Sequence, residues 1–348
     1  MLRKTQPQTL AWPDKTMSVM QQRKLEECEK RIRALPSFGL WQGCTDSNAE
    51  ILWGMSLEAE ERPARRSLHT AASLQEQVME RLPAELSLLS MAEYEMVSRL
   101  IAGGGEMELQ DWFEFAPAES LARRLWATLT LDGDDRCVLR MPMELASPIS
   151  FLLASPEHLE IRGHMLQFFI TVICALNIYG MVFAEDALTL LERTVSVDRL
   201  PCAPDMIRRM LHQTYDYVFN PAGSMVLLHP GLAEPERWLN SVRHVDLEPM
   251  LITDPEADVP QMMLSDGERG AALQMSGLLS GVLRPDLNLP MAVEDLRVLI
   301  KQGVALSAAE EVLASLITVR PTADILEGLR LLYSQTPGFV FVSTRQVH

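Results

Sequence analysis

Two arginine pairs, Arg123-Arg124 and Arg208-Arg209, are the residues of this chain whose type and repetition best suit binding chemistry. A guanidinium presents a fixed fork of donors that matches a phosphate, a carboxylate or the edge of guanine. The pairs stand in matching segments, Leu121–Trp126 and Met206–Leu211, each followed by two apolar strands around a turn. The first pair leads through Leu129-Thr-Leu131, an Asp132-Gly-Asp-Asp135 turn and Cys137-Val-Leu139 to Pro142. The second leads through Tyr217-Val-Phe219, an Asn-Pro-Ala-Gly turn and Met225–Leu228 to Pro230. Helix, strand, turn, strand is the back half of a winged helix, whose third helix enters the major groove in the DNA-binding members of that fold. Arg123, Arg124, Arg208 and Arg209 are therefore the candidate nucleic-acid or partner-binding residues, set against the plainer role of solubilising an exposed helix face.

Other clusters suit chemistry less well. Asp132-Gly-Asp-Asp135 is short of the six or more oxygens that calcium takes and reads as a hairpin turn. His158 and His164, near Glu157 and Glu160, point to different sides of a helix and read as surface or capping residues, so no metal site and no cofactor is expected. Gly103-Gly-Gly105 lacks the preceding strand and following Lys-Ser/Thr of a phosphate loop and reads as a helix stop. There is no Gly-x-Ser-x-Gly, no His-Glu-x-x-His and no dinucleotide fingerprint, so no catalytic residue is assigned and a non-enzymatic protein is expected.

Charge narrows the partners. The formal charge of −16 opposes counterion displacement from a duplex, and it extends into the segments carrying the arginines. Residues 86–145 hold five Arg against eleven Asp plus Glu, and residues 159–232 five Arg against seven. Nucleic acid is disfavoured on that ground, and a protein partner or self-association is expected. The basic stretch is Arg23-Lys24 with Lys30–Arg33. Five scattered cysteines and an N-terminus without an apolar core fit a reduced cytoplasmic setting. Gly163–Ala184 is free of Asp, Glu, Lys and Arg, yet Gln167, Thr171, Asn177 and the stop at Asn-Ile-Tyr-Gly180 favour a buried core helix over a membrane span.

The elements that must position the arginines follow from caps and periodicity. Abundant Leu and Met with few aromatics predict a mostly α (α+β) chain. The expected order is an N-terminal helical arm and connector over residues 1–72, a winged-helix-like module over 73–147, a second over 156–232, a linker over 233–263 and a C-terminal helical domain over 264–348. Asp14–Leu35 reads as the helix of the arm, and Trp41 and Trp53 flank the connector. Ser73/Glu76, Ser90/Glu93, Ser265/Glu268 and Ser307/Glu310 have capping-box form and mark helix starts. Pro148 and Pro156 predict a hinge between the modules, and Gly338–Ser343 a short strand or a tail that folds back. Phe168, Phe169, Val172, Ile173 and Leu176 are the expected interior of the long apolar helix.

Asn177-Ile-Tyr-Gly180, followed by a helix, an Arg-bearing helix and a hairpin ending in His229-Pro230, resembles the central part of uncharacterised helical bacterial proteins related to SEC-C-containing proteins. The resemblance covers roughly residues 160–330 and rests on element order. No Cys-x-Cys or Cys-His cluster follows Pro321, so the zinc-binding segment of those relatives is not carried over. The expectation is a cytosolic adaptor or regulator acting through protein contacts, with a sequence-specific DNA-binding regulator as the alternative and a hydrolase of unrecognised type as a third.

Overall fold

The computed structural model describes residues 30–41, 43–56, 70–110, 114–131, 136–195, 204–232, 234–250, 264–285 and 287–340. Most of Asp14–Leu35, the Asp132–Asp135 turn and residues 251–263 and 341–348 lie outside them. The chain is mostly helical, with two small antiparallel sheets. It divides into two compact units, with the main boundary at Arg162/Gly163 and residues 204–207 grouped with the first.

The first unit contains α1 (Asp46–Met55), α2 (Ala71–Leu88), α3 (Met91–Ala102), β1 (Glu106–Glu108), α4 (Phe115–Arg123), β2 (Thr128–Leu131), β3 (Cys137–Arg140) and α5 (Met143–Leu153). Ser90 and Glu93 form the expected capping box at α3. At α2 the cap is instead Thr70 with Ser73, because Thr70 Oγ1 takes the Ser73 N–H and Ser73 Oγ takes the Thr70 N–H. Residues 46–55, expected as connector, are helical and capped by Thr45. The expected hinge at Pro148 is also overturned: α5 runs through it, as α2 runs through Pro83. An interior proline costs a helix about 3 kcal/mol. Neighbouring Leu145, Ile149, Leu82 and Leu86 are all buried, and their packing offsets that cost.

The second unit begins within α6 (Pro156–Tyr179) and continues through β4 (Met181–Phe183), α7 (Ala184–Thr194), α8 (Pro204–Thr214) from Arg208 onward, β5 (Tyr217–Phe219) and β6 (Met225–Leu228). α9 (Asp266–Leu279), α10 (Leu289–Lys301), α11 (Leu306–Leu316) and α12 (Ala323–Gln335) follow. Pro156 opens α6 rather than breaking the chain, as its missing N–H allows at a helix start. In α6, Phe168, Phe169, Val172 and Leu176 are buried and Ile173 is half-buried. This helix is long and apolar enough to cross a membrane, and 67% of its most apolar window is buried inside the protein. Residues 234–250, expected as linker, form two 3-10 turns and a packed strap: Asp186 accepts from Val245 N at 2.9 Å, and Gln167 Nε2 donates to Met250 O at 2.6 Å. At α9 Ser265 caps as expected, whereas α11 starts from Ala305 without a side-chain cap, so Ser307 is inside it. Phe339 is fully buried, its N–H bonded to Lys301 O at 2.8 Å, so the chain folds back there, and the rest of the expected Gly338–Ser343 stretch lies outside the described residues.

Both expected hairpins are present, and each gains a third strand missed in the sequence because β1 and β4 are only three residues long. The sheet orders are β1-β3-β2 and β4-β6-β5, so the strand arriving first pairs with the strand arriving last. In both, a left-handed glycine turns the chain from helix to strand: Gly105 at φ 91° and Gly180 at φ 74°. A Cβ on Gly105 would meet Met141 O at 2.8 Å. Each glycine carbonyl then accepts from the residue that follows the last strand, Met141 N to Gly105 O at 2.7 Å and His229 N to Gly180 O at 2.9 Å. The next residue in each case is a proline, Pro142 or Pro230.

Candidate functional site

The two arginine pairs do not occupy the same place in their helices. Arg123 is the last residue of α4 and Arg124 its C-cap, whereas Arg208 and Arg209 lie inside α8. What they share is a division of roles. Arg124 and Arg209 are buried, Arg123 is half-buried and Arg208 exposed. The expectation of an exposed solubilising pair therefore fails for the second member of each.

Arg124 is buried because carboxylates already wait inside. Its guanidinium lies 3.4 Å from Glu85 and 3.5 Å from Glu93, with its Cζ 6.0 Å from the Trp126 ring centroid. Glu93 also accepts from Ser90 N at 2.7 Å and from Ser120 Oγ. Burial pushes the Glu93 pKa up, but Arg124 and the bonds from Ser120 and Ser90 outweigh it and hold the carboxyl below its ordinary value. The helix end continues into Leu125, which sits at φ 63° in the position glycine usually takes. Leu125 is tolerated there because its side chain packs with Leu40, Leu52 and Leu74 and its carbonyl accepts from Trp41 Nε1 at 3.3 Å. Arg123 Nε donates to Met55 O at 3.4 Å, at the C-terminal end of α1.

His158, expected on the surface, is in the interior beside the same corner. It stacks on Tyr94 at 5.9 Å, with Ser87 Oγ 3.3 Å from Nδ1 and Nε2 buried without a hydrogen-bond partner. Burial first, then neighbouring Arg162, lowers its pKa. Arg162 lies over the Tyr94 ring at 4.3 Å and donates to Leu89 O and Ser90 O. Burial lowers its pKa to about 10 against the raising effects of Tyr94 and Glu93. These groups meet at the α2–α3 corner and tie it together. Among the described residues the thiols are shifted away from the reactive thiolate: burial pushes Cys137 up to about 12 and raises Cys174, and burial and Asp46 raise Cys44. Among the described residues no group of three metal-ligating side chains converges.

A second buried polar cluster was not legible in the sequence, because Asn177 is more than a hundred residues from Arg297 and Lys301, which it meets. Arg297 donates to Glu268 Oε1 at 2.6 Å, to both oxygens of Glu294 and to Asn177 Oδ1 at 3.2 Å. Lys301 Nζ donates to Asn177 O at 3.0 Å and lies 5.6 Å from the Phe339 ring centroid. His229 packs against Phe339 at 5.4 Å, and its Nδ1 accepts from Gly231 N at 3.1 Å. The Asn177 and His229 positions of the two sequence motifs thus meet around α10, where they anchor the C-terminal helices.

The exposed chemistry of the second unit is aromatic. Tyr217 and Phe219 on β5 are 38% and 56% exposed, with their rings edge-to-face at 5.7 Å. His212 of α8 stands 4.5 Å from the Tyr217 ring, and Arg208 lies one turn earlier on the same helix face. Nothing in the hairpin pattern distinguished these rings from core residues, because alternation places Tyr217 and Phe219 on one face without saying whether that face is covered. Comparison with protein-family models, with curated proteins and with solved structures finds no match to this chain.

Proposed function

We propose that the chain is a non-enzymatic cytosolic adaptor or regulator that works through protein contacts, built on two winged-helix-like modules. The winged-helix reading is supported by the order helix, strand, helix, helix, hairpin in residues 156–228, with the first strand pairing the last. The observation that carries the function is the split between buried arginine and exposed aromatic surface. With Arg209 inside, α8 keeps Arg208 as its outward member of the pair, one turn before His212, which packs on Tyr217. Exposed Tyr and Phe beside an Arg have the composition of a protein interface, whereas a duplex site needs several cations to displace counterions.

The test is an electrophoretic mobility shift with duplex DNA at about 0.15 M salt, comparing wild type with the Arg123→Ala/Arg208→Ala variant. Arg124 and Arg209 are left in place, because removing a buried partner such as Arg124 strands Glu85 and Glu93 and costs about 3–5 kcal/mol. Neither protein should retard the duplex. A shift that the double substitution abolishes would make the DNA-binding regulator the better reading.

A further inference from the structure

The two hairpins can be matched residue by residue. Met141 and His229 make the same bond to Gly105 and Gly180, which equates Leu139 with Leu227 one strand position inward. Leu139 pairs with Leu129 of β2, and Leu227 pairs with Tyr217 of β5, so Leu129 and Tyr217 hold the same place on the outer strand of their sheets. Their surroundings differ. Leu129 is 3% exposed, Tyr217 38%.

Leu129 belongs to the main core of the first unit, and a further segment lies against the start of its strand. Leu35, Pro36, Phe38, Gly39 and Leu40 line a cavity together with Thr128 and Leu129. Gly39 approaches so closely that any side chain there would collide with Thr128 Oγ1. Leu40 O accepts from Gln75 Nε2 at 3.1 Å, and Trp41 Nε1 donates to Leu125 O, so the segment is held at several points. Leu35-Pro-Ser-Phe-Gly-Leu-Trp41 is an irregular, apolar and aromatic stretch with a glycine where it crosses the strand. At β5 the same position carries exposed rings, and Asp216, the equivalent of Thr128, is exposed too.

We infer that the seam between α8 and β5 is a docking site for an extended apolar segment of a partner protein, seated as residues 35–41 sit on β2. The inference rests on the proposal that this chain works through protein contacts. Tyr217 and Phe219 supply the rings against which the partner's apolar side chains pack, and β5, an outer strand, offers its outer backbone edge alongside. A glycine or other small residue in the partner is expected opposite Asp216, where Gly39 lies opposite Thr128.

The probe is a labelled peptide of the sequence Leu35–Trp41, titrated into the full chain and read by fluorescence anisotropy and by amide hydrogen exchange. The peptide binds, protects the amides of Tyr217–Phe219, and is weakened about tenfold or more by Tyr217→Ser/Phe219→Ser. Phe151→Ser, at another exposed aromatic position, leaves binding unchanged. Protection that appears on Thr128–Leu131 instead means that the peptide merely displaces its own copy, and overturns the inference. Absence of binding, or binding indifferent to the double substitution, overturns it as well. The broader proposal fails separately, through a DNA shift: peptide silence with no shift removes the docking site alone, whereas oligonucleotide retention lost on Tyr217→Ser/Phe219→Ser removes both.

Discussion

At the scale of single residues, burial is what converts ordinary ionisable groups into structural ones. His229 illustrates the consequence for pH. Burial, with Arg297 and Lys301 adding to it and Glu294 opposing, lowers its pKa from the ordinary 6.5 to about 4. The unfolded chain therefore binds a proton that the folded chain refuses between these values, and stability is lost as pH falls through that window. The loss is on the order of 2–3 kcal/mol by pH 4. Urea unfolding of wild type and His229→Gln at a series of pH values should show the stability difference constant above pH 7 and shifting against the wild type below about 6.5. A difference independent of pH would mean that His229 is accessible to protons in the native state.

At the scale of elements, caps and closing contacts decide where helices begin and end. The start of α2 expected from the sequence, Ser73/Glu76, and the one the structure shows, Thr70/Ser73, differ by less than one turn. Thr70 wins because the reciprocal pair forms there, and Asp46 Oδ1 accepts from the Ala71 N–H at 3.1 Å, satisfying another donor of the first turn. Thr70→Ala should therefore cost about 1 kcal/mol. Glu76→Ala should stay within about 0.5 kcal/mol, as an ordinary surface change does. Thermal or urea unfolding ranks the two, and the reverse order would place the start at Ser73.

At the scale of the whole molecule, α6 decides the relation to a membrane. It has the length and hydropathy of a span, and its Phe168, Phe169, Val172 and Leu176 are inside the protein. Each such side chain contributes roughly 1.5–3 kcal/mol when removed from water. Burial inside the protein thus removes these side chains from water without lipid. The expressed chain should remain in the supernatant after high-speed centrifugation without detergent. Recovery in the membrane pellet, released by detergent and not by salt, would show that α6 exchanges its protein neighbours for lipid.

The sequence by itself determined the helical character, the two hairpins and most helix starts, because these depend on local period, turn chemistry and caps. Val138 and Val218 are in strands, and Ser90, Ser265 and Thr322 cap helices, as neighbours in the chain required. It also singled out the paired arginines, but their fate depended on partners far along the chain. Arg124 is inside because Glu85 and Glu93 converge on it from α2 and α3, a meeting that no local pattern records. Pro83 and Pro148 broke no helix, since flanking leucines and isoleucine buried in the core outweighed the lost backbone bond. Only tertiary structure decided which of two equivalent strand positions is covered. Leu129 and Tyr217 hold the same place in their hairpins, yet Leu129 lies in a core with Phe115, Trp126 and Leu139 while Tyr217 stands exposed, because the neighbours that meet each strand come from distant parts of the chain.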